Sequence, residues 1–334
     1  MNLTFLKNGL QLTEDQFILT TFKTARVCLD TFERVMSIQS AQKEQIDFWG
    51  IILRICTLIS VLCLFVTFQT YCLFPTLRTV PGKNNMCLIF AMFWAHTILQ
   101  FGVFETELEI LCKIIGIVLH YFWLVTFGCL NICSYHMYKV FTNKTIISSN
   151  EKLNIKLYIV YSYGIPAIIV GLNIVINTII ANDGSVGYGE LMCFISQPIS
   201  IIVTFVIPVS LVCVANILFF VFTSVKIATR PKFRTEHSTK IDRVYFTVYL
   251  KLFSITGISW VLQIIDSFLI TSAFSNIVSV LHALQGVFIF ISFTCNNRVL
   301  TLYKTMCGET SPHPGNSGSQ STRLPICLTN TTNE

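Results

Sequence analysis

The chain has 334 residues, 53% of them hydrophobic and 12% charged, with a formal net charge of +6. A soluble globular domain carries roughly 25% charged residues, so half that load excludes an ordinary water-soluble fold and points to a lipid-embedded chain. The modest positive charge does not describe a nucleic-acid binder, because lysines and arginines beside apolar runs ordinarily face anionic lipid.

Taken in order, the chain opens with a polar segment, 1–47, read as a short extracellular stretch. Its start, "MNLTFLKNGLQ", lacks a basic region followed by an apolar one. The first span is therefore expected to act as its own insertion signal, unless a further N-terminal segment precedes it. Seven apolar runs follow: Phe48–Leu73, Met86–Phe104, Leu111–Tyr138, Ile155–Ala181, Gln197–Phe222, Phe246–Thr271 and Ile277–Thr294. Each is long enough, or nearly so, to cross about 30 Å of hydrocarbon as a helix. The expected fold is thus an all-α membrane protein, a bundle of seven transmembrane helices over 48–294. The remainder, 295–334, begins with "NNRVLTLYKTM", which suits an interfacial helix, and ends in a Ser/Gly/Pro-rich tail expected to be disordered.

Charge placement orients this bundle. Arg78 and Lys83, then Lys139, Lys144 and Lys152, then Lys226, Arg230, Lys232, Arg234, Lys240 and Arg243 occupy alternate loops. The intervening loops hold Glu105, Glu107, Glu109, Asp183 and Glu190. Basic loops stay in the cytoplasm, which puts the N-terminus outside and the C-terminus inside. Asn2, in N-L-T, is then a candidate glycosylation site, whereas Asn143 and Asn330 fall on the inner side.

Of the 13 cysteines, only Cys28, Cys112 and Cys193 face the oxidising side. Cys112 opens the third span and Cys193 lies in the loop between spans four and five, so both sit near one membrane surface. A Cys112–Cys193 disulfide is favoured over two free thiols. Cys28 is then left without a partner in the chain. Cys307, just after the last span, is a candidate for palmitoylation.

This plan resembles a G-protein-coupled receptor. The stretch after span three, "CSYHMYKVF", lacks the acidic–Arg pair of rhodopsin-like receptors, and "GVFIFISFTCNNR" lacks their N-P-x-x-Y box. The segments "HYFWLVTFGCLN", "YSYGIP", "GYGELMCF", "ANILFFVFTSVKI", "LFSITGISWVL" and "LHALQGVFIFISF" recur in the order seen in the secretin/adhesion class. Within that class they look most like Methuselah-like receptors, and "TARVCLDTFERV" resembles the tail of a Methuselah ectodomain. The chain departs from the class at Cys129, where relatives typically carry tryptophan. No histidine precedes His96, so the His-x-Ser/Thr autoproteolysis site of adhesion receptors does not occur in this N-terminal segment.

The resemblance implies a receptor in the plasma membrane that passes an extracellular signal, from a peptide or protein ligand, to a heterotrimeric G protein. It implies a switch at Gly257 and Trp260 in span six, with Gln263 a turn further on, and an intramembrane polar set including Asn131 and Gln285. Read from the residues alone, these are equally a packed Gly–Trp pair and interhelical amide bonds. Pro208 is expected to bend span five by pushing away the carbonyl of Thr204, and Pro166 to act similarly in span four. Asp266, near the outer end of span six, is either a ligand-facing group or a solvated carboxylate. The basic 223–245 loop is expected to meet the G protein, lipid headgroups, or both. No nucleophile–base pair, phosphate loop or metal-ligand spacing is visible, so no enzyme activity, cofactor or metal is expected. The competing readings are a truncated seven-helix protein that no longer signals and a transporter or channel. Transporters usually show internal repeats or several charges along an intramembrane path, and neither is seen.

Overall fold

The computed structural model describes residues 3–5, 10–12, 18–19, 25–26, 29–103, 108–142, 151–180, 186–189, 192–228, 262, 265 and 272–306; side chains are described from 48 onward, except at 151–153, 227–228, 272–273 and 297. Ahead of the helices lie two small antiparallel hairpins, β1 (Leu3–Phe5) with β2 (Leu10–Leu12) and β3 (Ile18–Leu19) with β4 (Ala25–Arg26). Every apolar run that falls on described residues forms helix.

Helix α1 runs unbroken over Leu29–Leu73, 45 residues, and contains the first apolar run as its second half. It ends where Arg78 folds back on it: Nε donates to the Tyr71 carbonyl at 3.0 Å and a terminal guanidinium nitrogen reaches the Cys72 carbonyl. A cation there satisfies the last carbonyls and suits the negative end of the helix dipole. Pro75 starts a single 3₁₀ turn, Pro75–Leu77, before α2 (Val80–Phe101) begins. Thr79 caps α2, its Oγ1 accepting from the Gly82 amide, with Pro81 in the first turn where no amide partner is needed.

Helix α3 (Glu109–Thr142) is the central element, packed against α2 and the helices of spans four and five. Spans four and five share one construction. In span four, α4 (Glu151–Ile159) passes through a π turn, Val160–Gly164, into α5 (Ile165–Ile180). In span five, α6 (Pro198–Ile201) passes through a π turn, Ile202–Val206, into α7 (Ile207–Ala228). Each π turn is centred on the residue four before a proline, Ser162 before Pro166 and Thr204 before Pro208. Proline has no amide to return to that carbonyl. The bend expected from the prolines is therefore absorbed as one widened turn in each span.

The last apolar run is broken. Helices α8 (Ser272–Ala283) and α9 (Gln285–Phe293) meet at Leu284 and their described parts bend by 44°. Directly after the break, Gly286 lies against α1. Its amide donates to Ser60 Oγ at 2.7 Å, and an added Cβ would stand 2.4 Å from that same atom. Thr294 Oγ1 donates to Thr67 Oγ1 at 3.4 Å further along the same contact.

Among the described residues, four helices are long and apolar enough to cross a membrane, and the bent α8–α9 pair makes a fifth. α2 falls short of that set because Pro81, Gly82, Lys83, Asn84 and Asn85 occupy its start. The sixth run, Phe246–Thr271, lies almost wholly outside the described residues. Asn297 opens a second unit, in which "NRVLTLYKTM" forms a helix of its own, α10 (Asn297–Met306).

The bundle's buried apolar side chains form two main clusters. One joins α1, α2, α3 and α9 around Leu64, Leu88, Met92, Val125 and Ile289. The other joins α2, α3, α5 and α7 around Leu119, Trp123, Phe127, Val170 and Val209. Half of the apolar window of α3 is buried but only 6% of that of α6–α7, so α3 is an axle and α7 a wall facing outward.

Candidate functional site

At one end of the bundle, residues 186–189 and 192–197 are fastened across the end of α3. Cys112 and Cys193 form a disulfide with Cα atoms 4.7 Å apart, linking positions 81 residues distant. Both cysteines are buried. The Cys193 amide also donates to the Val103 carbonyl at 3.0 Å, which ties the loop to the end of α2. Gly116, one turn below Cys112, supplies the seat: a Cβ there would stand 3.1 Å from the Cys193 backbone.

The loop itself is a small hairpin, with Tyr188 opposite Ile195 and bonds from Gly189 N to Phe194 O and from Ser196 N to Gly187 O, each 3.0 Å. Gly187 and Gly189, at φ 76° and 84°, bracket Tyr188. That backbone region is costly for any residue with a Cβ. The two glycines turn Tyr188 into the bundle, where only 2% of it stays exposed.

Tyr188 enters a directed chain of hydrogen bonds. Asn177 Nδ2 donates to Asn173 Oδ1 at 3.0 Å and is also 3.1 Å from Ser200 Oγ. Asn173 Nδ2 donates to the Tyr188 hydroxyl at 2.9 Å, and that hydroxyl lies 2.8 Å from His120 Nδ1. His120 Nε2 lies 3.2 Å from the Thr204 carbonyl. A carbonyl only accepts, so Nε2 carries the proton, and Nδ1 accepts from Tyr188. The carbonyl that Pro208 cannot pair is thus the one His120 takes. Phe194 and Phe205 close over the ring at 6.2 and 5.9 Å, in edge-on contact. One covalently fixed loop is thereby wired to α3, α5 and the π turn of span five.

A second polar chain lies deeper. Asn131 Nδ2 donates to Asn216 Oδ1 at 3.0 Å, and the Tyr161 hydroxyl donates to Asn131 Oδ1 at 3.1 Å. Next to it, Gly128 lets the π turn of span four come close, since a Cβ would be 3.1 Å from Ser162 Cα. Cys129, where tryptophan is typical of the resembled class, is buried in the α1–α2–α3 cluster. A third group stands at the α8–α9 break. Gln285, fully buried, has Nε2 3.2 Å from His282 Nδ1. The His282 ring is 5.8 Å from that of His96 and 5.3 Å from that of Trp123.

Of the residues singled out from sequence, Cys112, Cys193, Asn131, Gln285 and Pro208 fall in or beside these three groups. Lys226 is exposed in the last turn of α7. Gly257, Trp260, Gln263, Asp266, Arg230, Lys232, Arg234, Lys240, Arg243, Asn2 and Cys307 lie outside the described residues. Sequence reasoning gave no role to Tyr188 or His120. The two positive-φ glycines around Tyr188 were the available sign, since G-Y-G in a loop marks a side chain being aimed. Among the described residues no group of three or more His, Cys, Asp or Glu is placed to hold a metal.

The model of the family described as 7 transmembrane receptor (Secretin family) matches residues 48–289, from the second half of α1 to the middle of α9. The chain belongs to that family. The mouse cadherin EGF LAG seven-pass G-type receptor 1 is 28% identical over 238 residues, 71% of this chain and 7% of the relative. Human adhesion G protein-coupled receptor L1 is 27% identical over 274 residues, 79% of this chain and 18% of the relative. The dog adhesion G protein-coupled receptor E2 is 26% identical over 273 residues, 79% of this chain and 32% of the relative. The chain thus spans well under two thirds of each. This secretin-family protein is therefore a multi-pass helical membrane protein of the receptor class.

Proposed function

We propose that this secretin-family chain is a signalling receptor of the plasma membrane, with seven spans, its N-terminus outside and its C-terminus inside. Its activity is to convert an extracellular peptide or protein signal into engagement of a heterotrimeric G protein. The observation that carries this reading is the loop that closes over the bundle through Cys112–Cys193 and reaches, by Tyr188 and His120, the proline-relieved turn of span five. A ligand pressing on that loop shifts Tyr188, and with it the Thr204 carbonyl and the register of α7. The far end of α7 carries Lys226 and leads into the basic loop, where the G protein docks. Span six, with Gly257, Trp260 and Gln263, moves with it, and the amides of Asn131 and Gln285 exchange partners. Asp266 faces the ligand. Asn2 carries glycan, Cys307 carries palmitate, and the chain is of the Methuselah-like kind. The protein is not an enzyme.

The test is recruitment of a panel of engineered Gα subunits in living cells, for the natural chain and for Tyr188→Phe. Recruitment that Tyr188→Phe reduces at equal surface level supports the reading. Silence across the whole panel, with the chain at the cell surface, overturns it in favour of a seven-helix protein that does not signal.

A further inference from the structure

Spans four and five flank a narrow groove of about 60 Å³ that opens sideways between them. Leu124, Phe127 and Gly128 of α3 form its back wall, Ile165 and Pro166 one flank, Pro208 and Val212 the other. Both prolines line it, each just past its π turn. The two widened turns therefore shape the space: where each helix holds one residue more than an α turn would, the flanks separate instead of interlocking.

The groove opens onto an exposed apolar surface of the bundle. Ile165, on its flank, is 45% exposed, and Ile168, Ile207 and Leu211 of the same two helices are 63%, 47% and 66% exposed. In a membrane these side chains meet hydrocarbon, so the groove is continuous with the lipid phase. Its back wall sits at Phe127 and Gly128, half-way along α3, and hence near mid-bilayer. Water is a poor occupant, because a buried water needs two to four polar partners. The groove offers one hydroxyl, that of Tyr161, and it already donates to Asn131 Oδ1 at 3.1 Å. A sterol anchored by its hydroxyl at the interface presents only its short branched tail at this depth, its rigid rings lying nearer the headgroups. A hydrocarbon tail has no polar group to satisfy, and the tails of bilayer lipids reach this depth.

We propose that the groove between spans four and five is a binding site for the acyl chain of a membrane phospholipid, and that its occupancy holds Tyr161 on the Asn131–Asn216 pair. Tyr161 is both a wall of the groove and the first donor of that chain. Filling the groove fixes the ring, and emptying it frees the hydroxyl to leave Asn131. The site is distinct from the loop end of the bundle and gives lipid composition a direct hold on an interhelical amide pair.

The test uses the full chain in nanodiscs of phosphatidylcholine bearing a diazirine at mid-acyl chain. After illumination and proteolysis, adducts are mapped by mass spectrometry. Peptides covering 161–169 and 208–212 are expected to carry several-fold more adduct than the exposed face of α1 around Leu62, which serves as ordinary lipid-facing surface. Val212→Trp fills the groove from inside and Ile165→Trp covers it from the exposed rim without disturbing the buried core. Each should abolish the excess and leave labelling of α1 unchanged. Equal labelling of groove and α1 peptides overturns the proposal, as does an excess that survives Ile165→Trp. Loss of the excess on adding cholesterol, with no loss on adding unlabelled phospholipid, overturns the acyl chain as occupant and assigns the groove to a sterol.

Discussion

The two polar chains of this bundle are built from similar side chains and held in opposite ways. The one at the loop end, Asn177–Asn173–Tyr188–His120–Thr204, is anchored by a disulfide, a backbone bond from Cys193 to Val103 and two left-handed glycines. The deeper one, Tyr161–Asn131–Asn216, is held only by side chains on three helices, beside a π turn and a groove. A chain fixed at a loop cannot change partners without moving backbone. A chain fixed by rotamers can, for about the cost of one interhelical amide bond. In the function proposed above, the first feels the ligand and the second chooses between two states.

Four substitutions and a control bear on that contrast, and the largest effect is expected at its covalent end. Cys193→Ala frees an 81-residue loop, and removing such a crosslink typically costs about 2–5 kcal/mol. It should lower the melting temperature in nanodiscs markedly and reduce the fraction of chain that reaches the cell surface. A melting point equal to that of the natural chain would mean that the hairpin and the Val103 bond hold the loop by themselves.

Next comes Tyr188→Phe, which leaves His120 Nδ1 and Asn173 Nδ2 buried with no hydroxyl between them. An unmet buried polar group costs about 1–3 kcal/mol. The melting temperature should fall while surface expression stays near normal, and retained stability would show that water takes the place of the hydroxyl. Gly187→Ala should cost about 1–2 kcal/mol, because its φ is left-handed and a Cβ would meet Asn177 Cγ at 2.7 Å. Gly171→Ala is the control: nothing lies within 4 Å of its Cβ, so it should be neutral or slightly stabilising in the same melt.

The smallest effect on stability is expected in the deeper chain. Asn216→Leu removes the acceptor of Asn131 Nδ2, and interhelical bonds of this kind average about 0.6 kcal/mol. The melting temperature should hardly move, yet basal Gα recruitment should change. A large loss of stability with unaltered recruitment would reverse the roles assigned to the two chains.

What could be read in the sequence follows the range of the interactions. The apolar runs of α1, α3, α5 and α7 are local patterns, and the cysteine pair was accessible because the charge pattern puts only three thiols on the side expected to be oxidising. Pro208 announced a disturbance at Thr204. Its form, a π turn answered by His120 across 84 positions, depends on a neighbour that no local pattern names. The same holds for Gly286 on Ser60, 226 positions apart, and for Asn131 on Asn216, 85 apart. The break at Leu284 has no proline to mark it, and the run around it read as one continuous span. Tyr188 carried no charge and stood in a polar loop, where an aromatic ring is more often surface than core.

Helix α1 has a further consequence. Its 45 residues amount to about 68 Å at 1.5 Å per residue, more than twice the roughly 30 Å of hydrocarbon it crosses. No proline interrupts it between Leu29 and Leu73. Leu29 and Ser60 therefore stand on one continuous helix, and Ser60 is where Gly286, at the bend of the last span, is seated.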